Sequence, residues 1–195
     1  MHAHAVWDDP YTGQTLRAEE PAWMAWTHNT LVYALLRSAK AFGLELTPAE
    51  EDAFVREQHV AAELLGMDAT TLPVTRAELE AHIDEQRHWL SLCLPAAEVT
   101  RQLRKPSFKG NPVKVWTAII VTDGVLSILP DWVLLFYGIE GRPMNLRAAR
   151  KTTKQLMTLA RKSTSYDNVI TEVTTRIDNH PYRKVRPNSR KQASA

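Results

Sequence analysis

Seven histidines, His2, His4, His28, His59, His82, His88 and His180, are the main chemical resource of this chain. Imidazole titrates near neutral pH and ligates metal ions and haem iron, provided that the ring is held in a fixed position. Glu85-Gln86-Arg87-His88 has the Glu-x-x-His spacing that puts two ligands on one helical face in di-iron bundles. Such a site needs the motif twice, with two further inward glutamates, and here it occurs once. A solvated helix face is the plainer reading. His59, after Arg56-Glu57-Gln58, reads as a surface residue or a hydrogen-bonded, partly buried one. His28 lies two residues after Trp26, so the two do not share a helical face.

Other chemistries lose their footing quickly. The single thiol, Cys93, excludes an internal disulfide framework and any thiolate zinc or iron–sulfur cluster within the chain. There is no Gly-x-Gly-x-x-Gly, no phosphate loop, no Gly-x-Ser-x-Gly elbow and no Cys-x-x-Cys-His haem attachment. Arg147, Arg150, Lys151, Lys154, Arg161 and Lys162 can share a helical face, but no aromatic residues interleave with them. A solvated face is therefore expected, with no specific nucleic-acid partner. Leu129-Pro130-Asp131-Trp132, followed by Phe136-Tyr137-Gly138, breaks an apolar segment with a loop rich in aromatics. It could line an apolar cavity, and ordinary core packing is the alternative.

The elements that must position these residues read as helices throughout. Pro21 opens one running to about Phe42, with Trp23, Trp26, Leu31, Ala34 and Leu35 expected among its buried positions and Gly43 as its C-terminal cap. Thr47-Pro48-Ala49-Glu50 is a capping box that starts a helix to Gly66, with Phe54, Val55, Ala61, Ala62 and Leu65 as its core face. Thr75-Arg76-Ala77-Glu78 starts another through about Leu90, and Pro95 a further one to about Arg104. A buried helix with Ile119, Ile120, Val125, Leu126, Ile128 and Leu129 in the core precedes a short second one. Asn145 begins a long basic helix to about Ser163, and Asp167–Asp178 is the last, with Val169, Ile170 and Val173 on its apolar side. No β-branched runs alternate between turn signals, so no sheet is expected. The fold class is all-α, an irregular helical bundle.

Composition sets the outer bounds. The chain has 195 residues, 44% apolar and 24% charged, which suits one soluble globular domain. The formal net charge of +2 conceals an acidic half, residues 1–100, and a basic half, residues 101–195. The N-terminus has no basic region followed by an apolar run, so no secretory signal is read. Charged residues and Pro130 interrupt the most apolar stretch, so no transmembrane segment is read either. The expectation is a cytoplasmic protein with one domain at residues 1–182 and a basic, disordered tail at 183–195.

The ordered motifs carry a resemblance. His2-Ala3-His4-Ala5, Thr12-Gly13, Glu20-Pro21 and Trp26-Thr27-His28-Asn29-Thr30-Leu31 open the series. Leu46-Thr47-Pro48-Ala49-Glu50, Glu57, Leu64-Leu65-Gly66 and Leu72-Pro73 continue it. Leu129-Pro130-Asp131-Trp132, Tyr137-Gly138 and Pro181-Tyr182-Arg183 complete it. In this order the string resembles the rubber oxygenase catalytic domain family, which includes bacterial latex-clearing proteins and the fungal MpaB-type oxygenase. The resemblance implies a helical fold around a non-covalent haem b, with molecular oxygen as co-substrate and a hydrophobic substrate of the isoprenoid class. It further implies that His2 in the His-Ala segment is the axial metal ligand, and that His28, in the Trp-x-His-x-Thr-Leu motif, is either structural or lines the cofactor pocket.

Departures from the family pattern set the competing expectation. Family members carry a helical region with an Arg-x-x-x-Thr pattern upstream of the His-Ala segment, whereas this sequence starts at Met1. Trp7 stands where a glycine is usual, and Leu134-Leu135 where an arginine is common. The expectation is an N-terminally shortened domain. The alternative left open is a non-catalytic helical interaction domain that holds no haem, with an uncovered apolar face and self-association.

Overall fold

In the computed structural model, residues 5–104, 110–139 and 143–179 are described. The fold is mostly α-helical. One small correction comes at the start of the chain, where β1 (Val6–Asp8) and β2 (Thr15–Arg17) pair antiparallel with Trp7 opposite Leu16. The signal is in the turn rather than in the strands. The Asp9 carboxylate accepts from the Tyr11 amide at 2.9 Å and the Thr12 hydroxyl at 2.6 Å, and Gly13 takes φ 69°. A positive φ of this kind suits glycine, which has no Cβ to clash. Those hydrogen bonds, led by Thr12, also hold the Asp9 carboxyl below its ordinary value. Strands of three largely exposed residues are too short to show alternation, which is why the pattern missed them.

Helix α1 (Pro21–Phe42) starts on proline and ends at Gly43, whose φ of 109° lets its amide reach the Ala39 carbonyl. Its buried stripe is His28, Val32 and Leu36, spaced by four, with Asn29 beside it. The expected stripe was wrong in part: Leu31 and Leu35 are exposed, and Trp23 and Trp26 are half-buried. Both stripes are apolar enough to pack, and the helices that arrive from later in the chain decide between them. Those helices are α2 (Pro48–Glu57) and α4 (Arg76–Glu85), which supply Val55 and Leu79 to a core with Val32 and Leu36.

The capping box before α2 is complete. The Thr47 side chain accepts from the Glu50 amide, and the Glu50 carboxylate accepts from the Thr47 amide at 2.8 Å. The expected single helix to Gly66 breaks at Gln58, and α3 (His59–Leu64) follows, with Leu65 exposed. Thr75 caps α4 by accepting from the Glu78 amide at 3.1 Å, and a 3-10 turn (Gln86–Trp89) closes that segment.

Five more helices follow: α5 (Leu94–Arg104), α6 (Pro112–Leu126), α7 (Asp131–Phe136), α8 (Pro143–Ala160) and α9 (Thr164–Asn179). Leu126, Ile139 and Leu146 form a second core, while Ala41, Phe42 and Ile128 join the end of α1 to the loop after α6. Of the core expected on α6, Leu126 is buried, whereas Ile119 and Val125 are exposed. An almost wholly apolar helix has no polar face to mark its outer side, so periodicity could not choose. Helices α6 and α8 meet closely at Gly124, where an added Cβ would overlap the Thr153 hydroxyl and come within 2.8 Å of its Cβ. Thr153 is buried and donates to the Ile120 carbonyl at 3.2 Å.

By compactness the chain divides into residues 1–153 and 154–195, with the boundary inside α8. In the second unit, α9 has no buried residue. Among the described residues, no helix is long and apolar enough to cross a membrane.

Candidate functional site

Helix α1 presents side chains to two separate cavities on two of its faces. The first, of about 360 Å³, is bordered by Trp23, His28 and Leu31 of α1, with Gln58, Leu65 and Met67 from the α2–α3 region. Trp23 is braced from the β-hairpin by Trp7, with stacked rings 5.5 Å apart. Met24, Thr27 and Val32 complete the α1 contribution, so the lining is chiefly apolar.

His28 is the titratable group of this lining, and it is 8% exposed. Desolvation first, and then repulsion from His59, hold its imidazole below the ordinary value of 6.5. The neutral ring is thus favoured at neutral pH, which leaves one nitrogen with a lone pair. His59 itself is committed elsewhere. Its Nε2 donates to the Pro73 carbonyl at 2.8 Å, which makes it the hydrogen-bonded, partly buried residue that its sequence context suggested. The Thr27 hydroxyl is likewise occupied, by the Trp23 carbonyl at 2.9 Å. His28 and the Gln58 amide remain as the polar side chains available to a molecule in this cavity.

The second cavity, of about 400 Å³, is lined by Trp26, Thr30, Tyr33 and Arg37 of α1 together with Trp132 and Phe136 of α7. Leu129, Pro130 and Tyr137 border it too, so the Leu-Pro-Asp-Trp segment with its following aromatics does line an apolar cavity. Spacings of four, seven and eleven put Trp26, Thr30, Tyr33 and Arg37 on one side of α1, away from His28.

The remaining candidates separate. His2, His4 and His180 lie outside the described residues. Glu85 and His88 are both exposed, and His88 Nδ1 donates to the Glu85 carbonyl at 2.6 Å, so the Glu-x-x-His pair is a helix end. Arg150 and Lys151 are exposed, as expected of a solvated basic face. Among the described residues, no three His, Cys, Asp or Glu side chains group as a metal site. Sequence reasoning missed Gln58 and Met67, since nothing local ties the end of α2 to the face of α1. It had assigned Trp23 to the core, and a half-buried tryptophan stacked on another was not legible from spacing.

The family model described as ER-bound oxygenase mpaB/B′/rubber oxygenase, catalytic domain, matches residues 1–162. The chain belongs to this family. The motif string and the match therefore agree, and the mpaB/rubber oxygenase domain accounts for everything from the hairpin through α8, both cavities included. No curated protein and no solved structure gives a significant match. As a member of an oxygenase catalytic-domain family, the chain is oxygenase-like at the level of its class.

Proposed function

We propose that this chain is a haem b-dependent oxygenase that acts with molecular oxygen on a hydrophobic substrate of the isoprenoid class. The observation that carries the reading is His28, a buried imidazole kept neutral on the wall of an apolar cavity within the family-matched region. A neutral ring in a chiefly apolar lining fits a haem environment, since ligation needs the imidazole lone pair and apolar side chains pack against a porphyrin face. His2 would hold the haem iron, as the family motif implies, and His28 would border the cofactor.

When bound, the haem supplies dioxygen binding and oxidation of the carbon–carbon double bond. The chain contributes the rest. Leu31, Leu65 and Met67 present apolar surface along the cavity, and an apolar chain lying there would cover Leu31 and Leu65, which are otherwise exposed. Burial of His28 keeps a positive charge out of that space. The Gln58 amide can hydrogen-bond a polar end of the substrate. The Trp7–Trp23 stack fixes the side of the cavity nearest the hairpin.

The test is reconstitution of the purified chain with haemin. A Soret band that survives gel filtration, and that His2→Ala abolishes, is expected. His28→Ala should shift the band or weaken haem retention without unfolding the protein, as judged by far-UV circular dichroism. Absence of any retained Soret band would favour the non-catalytic helical domain instead.

A further inference from the structure

The apolar cavity on the Trp26 face of α1 adjoins a second, polar one of about 240 Å³. The two share Tyr33, Arg37 and Ile128. The polar cavity is lined by four cations, Arg37, Lys40, Arg76 and Arg150, against two carboxylates, Glu51 and Glu80. The carboxylates are already engaged. Lys40 pairs with Glu51 at 3.3 Å, and Arg76 bridges Glu51 at 2.9 Å and Glu80 at 2.8 Å. Neither Arg37 nor Arg150 has a carboxylate partner among the described residues.

Arg37 lines both cavities at the wall they share, and it is held there. Its Nε donates to the Ile128 carbonyl at 2.6 Å, one Nη donates to the Tyr33 hydroxyl at 2.9 Å, and its guanidinium lies 5.4 Å from the Tyr33 ring centroid. A guanidinium carries five N–H donors, so two are used for positioning and the others remain. A fixed, half-buried cation without a counter-charge favours an anion, because the ordering cost is met before the ligand arrives.

We propose that the two adjoining cavities, with Arg37 common to both, bind an anionic amphiphile. The alkyl or isoprenoid chain lies among Trp26, Trp132, Val133 and Phe136, and the carboxylate or phosphate head lies between Arg37 and Arg150. This site shares no lining residue with the His28 cavity, so it neither requires bound haem nor stands on the proposed haem chemistry.

The experiment is isothermal titration of the chain, without added haem, with decanoate and decyl phosphate below their micelle concentrations and decanol below its solubility limit. One saturable site is expected, with at least one of the two anions binding roughly tenfold tighter than the alcohol, the size of a charge-assisted hydrogen bond. The tighter anion identifies the head group. Arg150→Gln removes an exposed, unpaired charge and should weaken the anions severalfold while leaving decanol unchanged. Glu80→Gln releases part of Arg76 and should tighten the anions. Phe136→Ala should weaken all three ligands. Equal affinity for anion and alcohol overturns the proposal, and so does anion binding that ignores both charge variants. Absence of saturable binding overturns it as well.

Discussion

Helices α1 and α9 carry comparable apolar stripes and meet opposite fates. On α1, Val32 and Leu36 are buried against α2 and α4, His28 is buried on the wall of a cavity bordered by the α2–α3 region, and a further face lines a second cavity. On α9, Val169, Ile170, Val173 and Ile177 recur at helical spacing, yet each is about half exposed and the helix has no buried residue. Amphipathicity makes a helix able to pack, but only another element arriving at that face makes it core. The consequence is energetic. Side chains on the α1 stripe are almost wholly removed from water, and those on the α9 stripe are not.

The sharpest way to break this contrast is Leu36→Ala, which should cost about 3 kcal/mol in denaturant unfolding, within the range for buried leucines. A cost near zero would mean that the α1 stripe is not core. Next comes Glu51→Gln at the junction of α1, α2 and α4. The carboxylate is buried between Lys40 and Arg76, but both cations reach solvent, so roughly 1–2 kcal/mol is expected rather than the full cost of a buried pair.

The pH dependence sharpens the comparison further, because α9 has no buried imidazole to contribute to it. His28 titrates below its ordinary 6.5 in the folded protein, so the unfolded chain binds more protons as the medium turns acid. Its contribution is fully present above pH 6.5 and is lost as pH falls through the lowered folded value. Melting temperature measured from pH 7.5 downward should fall accordingly, and His28→Phe should flatten that part of the curve. An unchanged slope in the variant would place the ring in water.

Smaller effects belong to local devices and to the exposed helix. Thr47→Ala removes the cap of α2 and should cost about 1 kcal/mol. Ile170→Ser on α9 should change stability by less than about 0.5 kcal/mol, since nothing covers its stripe within the described chain. A loss as large as that of Leu36→Ala would show that the α9 stripe is covered in solution.

The legible parts of the fold share a cause. The proline starts of α1 and α2, the Gly43 terminus and the Thr47–Glu50 box are set by a few adjacent residues, and the sequence displays them directly. The hairpin was missed because its evidence is one Asp9 turn with Gly13, not strand periodicity. The wrong stripe on α1 has a different origin. Leu31 and Leu35 are as apolar as Val32 and Leu36, and the choice between them is made by Val55 and Leu79, on helices that come later in the chain. The close approach at Gly124 has no local signal either, since its reason is Thr153 on another helix.

For the site, the sequence alone singled out His28 by its motif and the aromatic loop after Leu129 by its composition, and the ordered string named the family. Those features are local or strictly ordered along the chain, so they need no folding to be read. Only the tertiary structure decided that His28 is buried and kept neutral, and that Gln58 and Met67 share its cavity. It also decided that Arg37 stands fixed between an apolar and a cationic space. Burial, desolvation and charge balance depend on which surfaces meet, and that is settled by packing between segments distant in sequence.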